Sequence, residues 1–173
     1  VVAATSREAA VDALEAIEFE FETLPVVIDM DAATTEGSAL VHDDVPANRC
    51  FTWQESHGDY AAAKDRAEVV LRRRFINQRL IPTAMEPRSV VVQPSPATGE
   101  YTMWSSTQVP HFVQIFISLT AGVPQSSLRV IAPDVGGGFG SKLDVYAEEA
   151  IGVVLAKKLG VPVKWTETRS ENY

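Results

Sequence analysis

Four glycines lie within five consecutive positions at the start of the segment Gly136–Lys142. Each glycine costs roughly 0.5 to 1 kcal/mol of backbone entropy relative to alanine, so this concentration needs a physical reason. One reason is structural, because a turn at positive φ or a close approach of a strand to a helix leaves no room for a side chain. The other is functional, because bare N–H groups near a helix N-terminus can bind an anion or an oxo group. The loop by itself leaves both reasons open.

The spacing of the loop does not fit two common phosphate-binding motifs. The dinucleotide fingerprint requires Gly-x-Gly-x-x-Gly, and the P-loop requires Gly-Lys followed by Ser or Thr after four free positions. Here Ser141 precedes Lys142. The sequence therefore does not indicate a nucleoside triphosphatase.

Five other polar residues could do chemistry, and each also has a structural explanation. Glu86 and Arg88 could act as a catalytic acid and an anion clamp, but on either side of a proline they are better explained as a structural ion pair or as strand-end contacts. His111 is better explained as a helix cap or packing residue, because no Cys, Asp or second His lies at metal-ligand spacing. Lys142 and Arg169 are further candidates.

The elements around the glycine loop form an α/β unit. A short strand over 128–132 leads into the loop, and a helix is predicted from about Asp144, whose carboxylate can cap it, to Gly160. A further strand is predicted over 163–166. The loop is therefore expected to join the end of a strand to the start of a helix.

A hairpin and a second helix are predicted just upstream. Residues 89–93 and 100–104 have the strand, turn, strand order of a hairpin with a loop of about six residues. The helix is expected to begin near Gln108, with Ser106 or Thr107 as its cap. The hairpin makes the predicted fold class α+β rather than purely doubly wound.

The first 80 residues are predicted to be less regular. Their expected elements are a helix over 6–15, a strand over 17–22, a surface connection over 29–60 with a strand-like part at 49–53, a short helix over 60–67 and a long strand over 69–80.

Composition limits the possible partners. Residues 1–60 carry 13 acidic and 2 basic side chains, which argues against nucleic acid as a partner of this segment. No apolar run approaches the roughly 20 residues needed to cross a bilayer, so no membrane span is expected, and no signal peptide is expected from the residues at the N-terminus. The single cysteine, Cys50, is best explained as a free structural thiol.

Several motifs, in order and spacing, resemble the first half of the molybdenum cofactor-binding region of the molybdenum hydroxylases. This family comprises the large subunits of xanthine oxidase, aldehyde oxidase and carbon monoxide dehydrogenase. The matching motifs are Asn77–Arg79, Met85–Arg88, Trp104–His111 and Gly136–Lys142. Residues 1–30 look like the end of the hammerhead domain that precedes this region in the family. The resemblance thus implies a partial chain.

The resemblance also implies a fold and a domain order. Residues 1–30 would end an α/β hammerhead domain, residues 31–59 would be a linker, and residues 60–173 would be the N-terminal part of the cofactor-binding domain. That part would be α+β, with a mixed sheet and packed helices.

The site residues implied by the resemblance are few. Gln108 would be the catalytic residue, hydrogen-bonding the apical oxygen on the molybdenum, and an uncharged amide suits that role. The backbone at Gly137, Gly138, Phe139 and Gly140 would bind the cofactor, and the Phe139 ring would pack near the substrate channel. No protein ligand to the metal is implied, because the pterin dithiolene holds it in this family.

One position bears on the substrate. Purine-oxidising members carry an acidic residue after the lysine of the glycine loop, whereas this chain has Leu143. The sequence is similar to carbon monoxide dehydrogenase-type and aldehyde oxidase-type chains, with the former closest. The copper-binding cysteine loop of carbon monoxide dehydrogenases is not identifiable, since Cys50 lies in a segment that does not match it, and the family's catalytic glutamate belongs to the later half.

The function implied is insertion of water-derived oxygen into carbon monoxide, an aldehyde or a heterocycle. Implied cofactors are molybdenum with molybdopterin, as the cytosine dinucleotide if the chain is bacterial, and the resemblance leaves open a copper ion in the full-length protein. Implied partners are FAD-binding and iron–sulfur subunits in a hetero-oligomer, in the cytoplasm or at the inner face of the membrane, with no turnover by this chain alone. The alternative is a non-catalytic α+β binding or assembly module in which the loop only turns the chain.

Overall fold

The computed structural model describes residues 1–173, which divide into two units, Val1–Arg72 and Arg73–Tyr173. The first unit contains helices α1 (Arg7–Glu15), α2 (Met30–Ala33) and α3 (Tyr60–Asp65) and a 3₁₀ turn at Pro46–Asn48. Each helix begins at a side chain that accepts a backbone N–H, and these caps are Ser6, Asp29 and Asp59. The predicted helices over 6–15 and 60–67 are thereby confirmed, although α3 ends two residues early.

The second unit is built on a four-stranded sheet. Its strands are β1 (Ser89–Ser95), β2 (Glu100–Ser105), β3 (Leu128–Ile131) and β4 (Val163–Thr166), in the spatial order β3-β2-β1-β4. The β1 strand pairs antiparallel with β2 and β4, whereas β2 and β3 run parallel. The predicted hairpin is confirmed, with a connection of four residues, 96–99, because the strands reach further than the sequence indicated.

Two helices, α4 (Pro110–Ala121) and α5 (Ala147–Leu159), cover one face of this sheet. Val92 of β1 pairs with Met103 of β2, and both side chains are completely buried in the core beneath the helices. The remaining buried apolar side chains of the core are Val90, Val113, Ile117, Ala121, Val123, Leu128, Val153 and Ala156. Sheet and helices together confirm the α+β fold class.

The ends of α4 and α5 follow from local chemistry. Gly122 and Gly160 end the two helices in the left-handed conformation, as predicted. The predicted N-termini were wrong by two or three residues. Pro110, rather than Gln108, begins α4, because a proline suits the first helical position. The Glu149 carboxylate, rather than Asp144, accepts the N–H of Tyr146 at the start of α5.

Three predicted strands are absent. Residues 17–22, 49–53 and 69–80 have no strand conformation, and none of the four strands of the sheet pairs with them. A strand requires a neighbour that accepts and donates backbone hydrogen bonds, so alternation of apolar and polar residues is not sufficient. Apolar side chains of these segments, such as Phe21 and Phe75, are exposed.

The predicted domain boundaries near residues 30 and 60 remain predictions. None of the helices combines the length and the apolar character that crossing a bilayer requires.

Candidate functional site

Gln108 lies directly against the glycine loop. Its side-chain Oε1 accepts the backbone N–H of Gly140 at 3.1 Å. The backbone N–H of Gln108 donates to the carbonyl oxygen of Lys142 at 2.9 Å. The short segment between β2 and α4 is thus bonded to the segment between β3 and α5. These two segments were predicted to share a site, and the structure places them together.

Two glycines of the loop are required by close approach rather than by backbone conformation. A Cβ on Gly138 would lie 2.3 Å from Gln108 Oε1, and a Cβ on Gly136 would lie 2.6 Å from Glu86 Cβ. Neither glycine has positive φ, in contrast to Gly137 and Gly140. The loop therefore uses both of the structural reasons that its sequence left open.

The loop also presents unused hydrogen-bond donors. The backbone N–H groups of Gly137, Gly138 and Phe139 donate to no protein acceptor. The Gln108 amide is oriented by Gly140, because an N–H can bond only to the oxygen end of the amide. Its Nε2 has no protein acceptor either, so four donor groups of the loop and Gln108 are without a protein partner.

Glu86 connects the parts of this site. One carboxylate oxygen, Oε2, accepts hydrogen bonds from Ser106 Oγ at 2.9 Å, from Gly136 N–H at 2.6 Å and from Lys142 Nζ at 2.9 Å. Lys142 Nζ also donates to the Glu86 carbonyl oxygen at 2.9 Å. Glu86 and Arg88 do not pair with each other, since Glu86 pairs with Lys142 and Arg88 with Glu167. Both make their contacts just before β1, which was the other explanation left open by the sequence.

The environment of the Glu86 carboxyl favours its charged form. Partial burial acts to raise its pKa, but the hydrogen bonds from Lys142, Gly136 and Ser106 outweigh burial, and the pKa lies below its ordinary value. The Lys142 side chain is 1% exposed. A buried ammonium group needs a charged partner, and only Glu86 provides one.

Arg88 belongs to a second charged cluster. Its Nη2 donates to Glu167 Oε1 at 2.7 Å, its backbone N–H donates to Glu167 Oε2 at 2.9 Å, and Nη1 lies 3.3 Å from Glu148. The guanidinium stacks 3.7 Å from the Tyr146 ring centroid. Tyr146 in turn donates its hydroxyl proton to the carbonyl of Ser141 at the end of the glycine loop.

Arg169 bonds the backbone just before Glu86. Its Nη2 donates to the carbonyl oxygens of Ala84 at 2.8 Å and Met85 at 3.1 Å. The position of Arg169, more than 80 residues downstream, gave no sequence signal for this contact. Ser106 was likewise expected only as a possible helix cap, whereas its hydroxyl bonds Glu86.

Phe139 is 77% exposed and has φ of 52°. Its ring covers Gly137, since a Cβ at Gly137 would lie 2.9 Å from the Phe139 ring. Leu143, just beyond the loop, is also exposed. Both side chains are therefore accessible to solvent.

The other candidates lie outside this cluster. His111 is in the first turn of α4 and lines a groove of about 520 Å³ whose lining includes no residue of the glycine loop. Cys50 is an exposed thiol of the first unit. No group of three or more His, Cys, Asp or Glu side chains could hold a metal ion.

Comparisons with known proteins agree on one family. The model of the molybdopterin cofactor-binding domain matches residues 41–173. The carbon monoxide dehydrogenase large chain of Afipia carboxidovorans is 37% identical over 99% of this chain and 23% of its own length. The nicotine 6-hydroxylase large subunit of Paenarthrobacter nicotinovorans is 36% identical over 99% of this chain and 21% of its own length.

Solved structures show the same likeness. Reconstituted CO dehydrogenase from Oligotropha carboxidovorans superposes with a TM-score of 0.83 at 35% identity, over 96% of this chain and 22% of that one. The chain therefore spans about one fifth to one quarter of the length of the relatives it matches.

Proposed function

The chain belongs to the family of molybdopterin cofactor-binding domains, and from this premise we propose that Gln108 and the glycine loop form one wall of the cofactor site of a molybdenum hydroxylase. The relatives include large chains of carbon monoxide dehydrogenase and nicotine 6-hydroxylase. The expected resemblance to molybdenum hydroxylase large subunits is thereby confirmed.

The observation that carries the proposal is the set of free donors around Gln108. Its amide oxygen is held by Gly140, so its Nε2 is left as a donor without a protein acceptor. The N–H groups of Gly137, Gly138 and Phe139 add three more donors without a protein acceptor. An oxygen-rich, negatively charged cofactor fits such a surface, and the absent Cβ of Gly138 leaves room for the Gln108 side chain against the loop.

The residues of the wall have separate roles in this proposal. Backbone N–H groups of the glycine loop bind the cofactor, while Gln108 orients one of its oxygens by an uncharged hydrogen bond. When bound, the cofactor supplies two-electron oxidation of a carbon centre with oxygen derived from water. The exposed Phe139 ring and the exposed Leu143 side chain would border the substrate.

The substrate class proposed is carbon monoxide, an aldehyde or an N-heterocycle. The Leu143 side chain cannot hydrogen-bond a purine ring, which argues against xanthine as the N-heterocycle. The cytosine dinucleotide form of the cofactor, a copper ion in the full-length protein and a cytoplasmic location all remain predictions. FAD-binding and iron–sulfur subunits are proposed as electron acceptors, since the relatives are named as large chains or large subunits.

Substitution of Gln108 in the full-length protein tests the proposal. We expect Gln108→Ala to lower turnover per bound molybdenum by about 100-fold, the usual effect of losing one donor aimed at developing charge. Molybdenum content and oxidation of carbon monoxide, an aldehyde and an N-heterocycle with an artificial electron acceptor would be measured together. Unchanged turnover in Gln108→Ala would contradict the assigned role.

Gln114→Ala is the matched control. Gln114 lies in α4, six residues downstream, and its Nε2 donates to the Leu128 carbonyl at 2.7 Å instead of facing the loop. This variant is expected to keep turnover per molybdenum. A full-length protein that purifies without molybdenum or pterin and has no turnover would favour the non-catalytic binding or assembly module.

A further inference from the structure

A single oxygen atom joins the three chain segments that build the proposed wall. Glu86 Oε2 accepts from Ser106, Gly136 and Lys142, all within 2.9 Å. Ser106 lies two residues before Gln108, and Gly136 and Lys142 begin and end the glycine loop. One carboxylate oxygen thus bonds the segment that carries Gln108 to both ends of the loop, in addition to the direct bonds between Gln108 and the loop.

The contacts continue from Glu86 to the donor groups themselves. Lys142, whose Nζ is held by Glu86, accepts the N–H of Gln108 at its carbonyl oxygen. The side chain of Gln108 then accepts the N–H of Gly140. A shift of Lys142 or Ser106 therefore moves the Gln108 amide, although Glu86 itself does not touch it.

The chemistry of the carboxylate is needed at this position. Three donors converge on one oxygen, and one of them is a buried ammonium group. A charged acceptor forms shorter and stronger hydrogen bonds than a neutral amide oxygen does. Glutamine at position 86 would leave Lys142 without a counter-charge and would offer the three donors a neutral amide oxygen in place of a carboxylate oxygen.

We propose that Glu86 is a positioning residue that holds the Gln108 amide and the glycine loop in the relative position that the cofactor requires. The inference rests on the proposed function, and Glu86 acts through Lys142, Ser106 and Gly136 rather than by touching cofactor or substrate. A purely structural Glu86 would only neutralise Lys142, and its loss would not be transmitted selectively to Gln108.

Hydrogen–deuterium exchange resolved to single amides tests the inference in the full-length, cofactor-free protein. Glu86→Gln is expected to speed exchange at both Gly136 and Gly140 by about tenfold, while the β1–β2 hairpin keeps its rate. Gly140 is the decisive amide, because it bonds Gln108 and not Glu86. Unchanged exchange at Gly140, or equally faster exchange in the hairpin, would overturn the inference.

Two further variants serve as controls for this measurement. Ile117→Val removes one methyl group from the core, far from any contact with Glu86, and shows the pattern of general destabilisation. Ser106→Ala removes one of the three donors with little risk to folding, and it is expected to speed Gly140 exchange by a smaller factor. If Glu86→Gln fails to fold, Ser106→Ala with unchanged Gly140 exchange would overturn the inference.

A double-mutant cycle separates this inference from the proposed function. If Glu86 acts through Gln108, Glu86→Gln lowers turnover per bound molybdenum in the wild type but has less than half that fold-effect in the Gln108→Ala background, following the usual non-additivity of coupled residues. Equal fold-effects in both backgrounds would refute positioning while leaving the proposed function intact. Unaltered turnover in Gln108→Ala alone would refute the proposed function, and exchange at Gly140 would still decide the role of Glu86.

Discussion

Gly138 shows how strictly one residue type is required in the site. Its φ lies outside the left-handed region, so alanine is compatible with its backbone, yet a Cβ would lie 2.3 Å from Gln108 Oε1. The added methyl group must displace the amide that faces the proposed cofactor. The substitution is therefore expected to disturb the site more than it lowers the stability of the fold.

Gly138→Ala in the full-length protein is accordingly expected to lower molybdenum content or turnover per molybdenum at least tenfold, with a small change in melting temperature. Gly99→Ala is the control. Gly99 lies in the β1–β2 turn at φ of 72°, with nothing within 4 Å of its added Cβ, so its variant should lose about 1 kcal/mol of stability and keep activity. Equal activities of the two variants would refute the close-contact argument.

At the scale of elements, Glu167 ties the start of β1 to the end of β4. Its side chain is 1% exposed and receives both the backbone N–H and the guanidinium of Arg88. Burial acts to raise the pKa of Glu167, but the hydrogen bonds from Arg88 and Asn172 outweigh it, and the pKa lies below its ordinary value. The carboxylate therefore stabilises the folded protein only where it is ionised.

Glu167→Gln is expected to destabilise the protein by about 3 kcal/mol at pH 7, because it leaves the charge of Arg88 poorly compensated. A carboxyl whose pKa is lowered by folding stabilises above its unfolded pKa, about 4.3, and this contribution is lost as the pH falls through the folded value. Denaturant unfolding at pH 7 and at lower pH should show the two proteins converging in acid. A constant difference between them across this range would contradict the assigned ion pair.

At the scale of the whole molecule, α4 carries an uncovered apolar face. Its exposed side chains are Phe112, Ile115, Phe116 and Leu119. In the first unit no residue is buried, and most of its large apolar side chains are exposed. An exposed apolar patch of this kind favours association.

Residues 1–173 produced alone are therefore expected to self-associate at micromolar concentration, as size-exclusion chromatography would show. Phe116→Glu with Leu119→Lys should shift the population toward monomer, because charges on the patch oppose its burial. Thr120→Lys, also an exposed substitution on α4 but outside the patch, serves as the control. A monodisperse wild-type monomer would refute the expectation.

The sequence by itself determined the α+β class, the hairpin, both long helices and the family, because these depend on local patterns and on motif order. The glycines ending α4 and α5 and the glycine loop belong to the same category. The sequence did not determine which segments become strands. Residues 17–22, which alternate apolar and acidic side chains, and residues 69–80 were predicted as strands but have no neighbouring strand, and pairing is a property of distant segments.

Only the tertiary structure decided the partners of the charged residues. Glu86 bonds Lys142, 56 positions away, and Arg88 bonds Glu167, 79 positions away, whereas the sequence left open an ion pair between Glu86 and Arg88 or strand-end contacts of each. The same holds for the free donor of Gln108, which depends on Gly140 holding the amide oxygen. Residue types and their order fix which groups can donate and accept, but burial and distance, set by packing, select which of them meet.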